Sequence, residues 1–245
     1  MGELDFSGKT ALVVGGSSGI GNGIAQAFRS HGAHVHVWGT RSAASDYAKD
    51  EGCNLAGLSY EQMDVADFLA IEAYKPPFKT LDVLVLAQGI VLYKRGEFEM
   101  PGFEKVMGVN LNSMMACAMK FRDMLMAAKG SLITISSTSA YHSTRGNPAY
   151  NASKAGLVGL TRTLGEAWAR DGIRVNGIAP GLVDTKLTKV TTDNPERLSR
   201  ALAGIPLGRL GQPDDMAGVA LFLASRLAAY VVGQTIPVDG GLILA

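Results

Sequence analysis

Cysteine is scarce in this chain. Only Cys53 and Cys117 occur, far apart and in neither a C-x-x-C nor a metal-ligand spacing. That excludes a disulfide framework and leaves two reduced, buried thiols suited to the cytoplasm. An excess of one charge is lacking too: 23 Lys and Arg stand against 22 Asp and Glu, a net charge of +1. No global field therefore recruits nucleic acid or an anionic membrane. Long apolar runs are missing, since "LDVLVLAQGIVLY" falls short of a membrane span and "VALFLASRLAAYVVG" carries Arg226. The opening "MGELDFSGKT" is acidic where an export signal is basic, and Phe6 stands where a myristoylation motif wants Ser or Thr. A soluble protein with a small-molecule partner is expected. His31, His34 and His36 cluster, but the last two flank Val35 in a strand-like stretch, which reads as a solvated strand edge, and no metal is expected.

What the chain does have is an alternating rhythm. With 245 residues, 47% of them hydrophobic, and 30 glycines, it suits one α/β domain over residues 1–245 with a substantial core. Short runs rich in Val, Ile and Leu recur: "TALVVGG", "AHVHVW", "LDVLVLA", "GSLITISS", "IRVNGIA" and "QTIPVDG". Helical apolar spacing fills the gaps, which predicts βαβ units and a doubly wound, Rossmann-type parallel sheet. The segment "KLTKVTTDNPERLSR" breaks the rhythm, and a substrate lid is expected around 186–203. Met114, Met115, Met119, Met124 and Met126 fall on one helix after Asn112 and read as packing.

Directly after the first strand comes "GGSSGIG", which places Gly15, Gly19 and Gly21 at the opening of a helix that begins at Ile20. Glycines permit the tight turn and the close approach of backbone, while the helix N-terminus offers N–H groups to a pyrophosphate. Ser17 and Ser18 add hydroxyls, and a dinucleotide is the expected ligand. Where a carboxylate would grip the ribose 2′-hydroxyl of NAD, the second strand ends in Gly39 and Thr40, and Arg41 follows. Arg41 suits a 2′-phosphate, so NADP is expected ahead of NAD. After the third strand, Asp64 and Val65 are positioned for the adenine; an exposed helix cap is the plain alternative for Asp64.

The stretch "PAYNASKAG" sets Tyr150 and Lys154 four apart, behind Asn147 as N-cap and Pro148 at the first helical position. That spacing puts both side chains on one helix face. Ser137 ends the strand "SLITISS", so strand, loop and helix converge at the carboxyl edge of the sheet. A phenol ionises near 10, and a neighbouring ammonium together with an oxidised nicotinamide favours the phenolate, so a lowered Tyr150 is expected.

With the glycine turn, this S-x(12)-Y-x(3)-K pattern resembles the short-chain dehydrogenase/reductase family from about Ser7 to the end. The resemblance implies that Tyr150 is the acid and base, that Ser137 holds the substrate oxygen and that Lys154 grips ribose hydroxyls. It further implies that Asn110 in "VNLNS" supports a proton relay, and that Pro180, Gly181, Val183 and Thr185 in "NGIAPGLVDT" cradle the nicotinamide. Two positions depart from the pattern: Val14 replaces a threonine, and "LAQG", with Ala87 and Gly89, replaces N-N-A-G at the adenosine ribose.

The implied function is NAD(P)-dependent interconversion of a secondary alcohol and a ketone. A 3-oxoacyl-carrier-protein reductase is the alternative, although "FRDMLMAAKGS" offers an acidic carrier only Arg122 and Lys129. A catalytically idle nucleotide-binding scaffold is the reading from another class. The resemblance also implies a homotetramer, built on the methionine-rich helix and the helix from Tyr150 to Arg170.

Overall fold

A computed structural model describes residues 2–244 of the chain. Seven parallel strands form one sheet in the order β3-β2-β1-β4-β5-β6-β7: β1 (Thr10–Val14), β2 (His34–Gly39), β3 (Ser59–Gln62), β4 (Val83–Leu86), β5 (Ser131–Ile135), β6 (Arg174–Pro180) and β7 (Thr235–Val238). The helices are α1 (Gly19–Ser30), α2 (Phe68–Ala73), α3 (Met100–Met107), α4 (Ser113–Ala128), α5 (Pro148–Trp168), α6 (Lys189–Thr192), α7 (Pro195–Ala203) and α8 (Pro213–Ala224).

Side chains of a strand alternate between the two faces of a sheet, so a run buried on both faces feeds two cores. In β1, Ala11 and Val13 join a cluster with Ile24 and Phe28 of α1 and Ala217 and Leu221 of α8. Leu12 and Val14 instead face Phe121 and Leu125 of α4 and Leu157 and Trp168 of α5. In β4, Val83 and Val85 divide from Leu84 and Leu86 in the same way. The doubly wound fold read from the sequence is thus the fold of the protein.

Three local expectations need correction. The strand carrying His34 and His36 is β2, which lies inside the sheet between β3 and β1, and His36 packs its ring 4.7 Å from that of Phe78. The edge belongs to the more polar β3, because a solvated edge tolerates "SYEQ". On α4, Met114 is buried, but Met115, Met119 and Met126 are exposed. Cys117 is buried while Cys53 is only half-buried. Among the described residues, no helix is long and apolar enough to cross a membrane.

The strand order reverses between β1 and β4, and parallel sheets open a crevice at such a switch point. The loops after these strands meet there. A Cβ on Gly15, whose φ is +76°, would stand 2.8 Å from the amide nitrogen of Gln88.

Candidate active site

The glycine turn is built for close approach. Gly15 and Gly19 both have positive φ, and a Cβ on Gly21 would collide with the carbonyl oxygen of Gly15. Ser18 is the N-cap of α1 but makes no side-chain cap bond, and Ser17 is buried behind it. The Gly19 amide donates to the carbonyl of Gly52 at 3.1 Å. The amides of Ile20 and Gly21 come next at the positive end of the helix, and a pyrophosphate would meet them. A Cβ on Gly19 would lie 3.4 Å from Cγ2 of Thr185, so the glycine turn faces the segment after β6 across the crevice.

At the adenosine end the sequence-predicted residues are present, with competitors. Arg41 donates to Asp50 Oδ2 at 2.5 Å and stacks 4.4 Å above the Tyr47 ring. Asp50, pulled below its ordinary value by Arg41, also pairs with Lys186 at 3.4 Å. A 2′-phosphate would therefore share Arg41 and Lys186 with a resident carboxylate. Asp64 is exposed and spends Oδ1 on the amide of Ala66 at 2.9 Å, a local turn cap, while Val65 beside it is buried.

Ser137, Tyr150 and Lys154 converge at the ends of β5 and α5. Ser137 begins the turn after β5, and its Oγ accepts from the amide of Ser139 at 3.1 Å. Lys154 is only 4% exposed, its Nζ 5.6 Å from the centre of the Tyr150 ring. Among the described residues, Nζ makes one hydrogen bond, to the carbonyl of Ile135 at 2.9 Å. An ammonium carries three donors, so two remain for a ribose diol. A Cβ on Gly89 would lie 3.5 Å from Nζ and 3.6 Å from Asn110 Oδ1, which places the loop after β4 against the same amine. These features, with the glycine cradle and the uncapped α1, fit a nicotinamide dinucleotide.

Asn110 sits in a π-helical turn, Gly108–Asn112, between α3 and α4. Its amide closes a ring with the backbone of Ile90, accepting at 2.8 Å and donating at 2.9 Å, and reaches Ser153 Oγ at 3.3 Å. Such a turn widens the helix ladder and is frequent at functional sites.

The expected effect of Lys154 on Tyr150 is corrected by the protein's own groups. Burial dominates and pushes the phenol up; Ser137 pulls it down, and Tyr93 and Glu97 push it further up. Lys154 itself falls to about 8 because burial penalises its charge. Desolvation is thus the leading cause at both groups and opposes the phenolate.

One group had no signal in the sequence. Glu97, 1% exposed, accepts from the amide of Tyr150 at 2.8 Å through Oε2, and from Leu92 N at 3.0 Å and Asn147 Nδ2 at 3.1 Å through Oε1. Asn147 is the N-cap by position, as expected, but its side chain makes no cap bond; Glu97 takes that role from a distant loop.

After β6, Pro180 ends the strand, Val183 bridges to Gly211, and a Cβ on Gly181 would stand 2.7 Å from that of Asp239. Lys186–Thr188 then turn into α6 and α7. Tyr93 donates to the carbonyl of Leu187 at 2.8 Å, and Lys189 pairs with Glu51 at 3.2 Å, so this segment is tied to both sides of the crevice.

A parallel sheet with a dinucleotide cradle at its switch point and a Ser, Tyr and Lys cluster at the same edge defines an NAD(P)-dependent oxidoreductase acting on CH–OH groups. Residues 14–243 match the family described as enoyl-(acyl carrier protein) reductase. A 3-oxoacyl-(acyl-carrier-protein) reductase of Chlamydia muridarum is 38% identical over 96% of this chain and 97% of its own. The 2-dehydro-3-deoxy-D-gluconate 5-dehydrogenase of Bacillus subtilis is 37% identical over 97% of this chain and 96% of its own. Among solved structures, a putative NAD(P)-dependent gluconate 5-dehydrogenase of Beutenbergia cavernae with bound NADP at low occupancy superposes with a TM-score of 0.87. It is 36% identical, with all of both chains covered. The chain belongs to the short-chain dehydrogenase/reductase family.

Proposed function

We propose that the protein uses NADP to interconvert a secondary alcohol and a ketone of a small free substrate, with Tyr150 as acid and base. The observation that carries this reading is the meeting of Ser137, Tyr150 and the buried Lys154 beside the glycine cradle. When bound, the dinucleotide supplies the hydride acceptor or donor. Gly15, Ser17, Ser18, Gly19, Ile20 and Gly21 enclose its pyrophosphate; Arg41 meets the 2′-phosphate, Asp64 and Val65 the adenine, and Ala87 and Gly89 the adenosine ribose. Lys154 spends its two remaining donors on ribose hydroxyls, and Pro180, Gly181, Val183 and Thr185 line the nicotinamide side.

Ser137 donates its hydroxyl hydrogen to the substrate oxygen, which fixes that oxygen beside the phenol and stabilises the charge that develops there. Tyr150 gives its proton to a ketone oxygen, or receives it from an alcohol in reverse. Asn110 holds the loop of Ile90 against this cluster and supports the relay that returns the proton. The segment 186–203 closes over the substrate as a lid of a single domain. The NADP choice is supported by Arg41 in this chain and by the NADP in the Beutenbergia structure.

The similarity to the Chlamydia enzyme favours a second reading, reduction of a carrier-bound 3-oxoacyl group. Against it, Arg122 is already paired with Asp171 at 2.6 Å, which depletes a basic docking patch. A homotetramer in the cytoplasm completes the proposal, supported by exposed Met115 and Met119 on α4 and by the unbridged cysteines. The test is turnover of a panel of free ketones, sugar-acid ketones and 3-oxoacyl thioesters with NADPH against NADH. Reduction of a free ketone, faster with NADPH and lost in Tyr150→Phe, is expected. No turnover by the intact protein across the panel would favour an idle nucleotide-binding scaffold.

A further inference from the structure

Glu97 is a buried carboxylate that the proposed chemistry does not use. Its three hydrogen bonds all come from uncharged N–H groups, and among the described residues no cation pairs with it. A buried charge without a counterion is costly unless its oxygens are satisfied. Here they are, and the amide it receives from α5 lies in the first turn, where the helix dipole adds to the compensation. Stabilising a helix end does not require so costly a group. Asn147 already occupies the N-cap and is of the preferred type, yet it turns its amide to Glu97 and to the carbonyl of Leu92 at 3.2 Å.

The carboxylate does something a local cap does not. It clamps the backbone of Tyr150 to the loop after β4, which carries Leu92 and Tyr93, and Tyr93 in turn holds Leu187. The carboxylate is thereby fixed at the backbone of the residue that bears the phenol.

We propose that Glu97 is a positioning residue for Tyr150: bonded to its amide, it sets where the phenol stands relative to the substrate loop, and it lays a carboxylate along the backbone of the residue that protonates a ketone. This rests on the reading of Tyr150 as the acid. The groups facing the phenol are Lys154 on its own helix, Ser137 after β5, and Tyr93 and Glu97 after β4. Of these, Glu97 alone combines a fixed negative charge with a bond to the Tyr150 backbone.

The test reads the ionisation of Tyr150 directly, as the tyrosinate ultraviolet absorbance of each protein minus that of its Tyr150→Phe counterpart. In Glu97→Gln the Tyr150 midpoint is expected to fall by about one pH unit, because the opposing charge is gone. Glu97→Asp keeps the charge but shortens the reach. Its midpoint should stay at the wild-type value while kcat drops about tenfold or more, with KM for NADPH unchanged. Superimposable titrations of folded Glu97→Gln and wild type overturn the proposal. So does a Glu97→Asp enzyme with wild-type kcat, and that variant alone is decisive if the glutamine variant does not fold. The titration needs no turnover, so an intact protein inactive on every ketone would refute the proposed function and leave this test standing.

Discussion

The Lys154 ammonium stands 5.6 Å from the centre of the Tyr150 ring, yet its hydrogen bond goes to the carbonyl of Ile135, the last residue of β5. The strand end therefore holds the amine in place, and burial pushes the phenol up. Burial penalises the amine, which lies at about 8 in the folded protein and near 10.4 in an unfolded chain.

A stability effect with a definite pH window follows. Between about pH 8 and 10.4 the unfolded chain binds the Lys154 proton and the folded one releases it, so stability rises with pH across that window. Below it, the charged amine costs about 3 kcal/mol. Lys154→Met removes that cost and orphans the Ile135 carbonyl, worth about 1–3 kcal/mol in the other direction. Thermal melts at a series of pH values should show wild type gaining on Lys154→Met from about pH 8 to 10.4. Parallel curves would contradict the buried charge.

The proposed preference for NADP places the 2′-phosphate on Arg41, which is paired with Asp50. Arg41→Ala should weaken NADPH binding about tenfold or more, the loss of one charge-assisted contact, and leave NADH nearly unchanged. Asp50→Asn frees Arg41 and Lys186 from a competing carboxylate and should tighten NADPH binding. Calorimetric titration of both dinucleotides decides both. Equal losses for NADH and NADPH in Arg41→Ala would remove the 2′-phosphate from that side chain.

The glycine cradle gives a steric prediction. Gly21→Ala drives a methyl group into the Gly15 carbonyl, and overpacking of this kind costs about 1–3 kcal/mol. A lowered melting temperature together with weaker binding of either dinucleotide is expected. Wild-type affinity in that variant would show that the turn does not approach the pyrophosphate closely.

The sheet and the cradle were legible because their signals are local. Alternation in "TALVV" splits Ala11 and Val13 from Leu12 and Val14, and "GGSSGIG" lies wholly between one strand and one helix. The shared face of Tyr150 and Lys154 was legible through helical spacing, and their roles through the S-x(12)-Y-x(3)-K resemblance. Glu97 was not, for it meets Tyr150 across 53 residues of sequence and no spacing rule connects a loop carboxylate to a helix amide. The direction of the Tyr150 shift is hidden for a related reason: the spacing displays the ammonium but not the burial that outweighs it. The place of β2 inside the sheet depends on where β3 pairs, and the polar "SYEQ" carries little strand signal.

In the proposed reaction the Tyr150 hydroxyl exchanges a proton with substrate as hydride moves. Single-turnover oxidation of bound NADPH, with a ketone the wild type reduces, tests it most directly in Tyr150→Phe. We predict a rate lower by roughly 10³-fold, with NADPH affinity and the melting temperature close to wild type. A phenylalanine enzyme that turns over at the wild-type rate would contradict it.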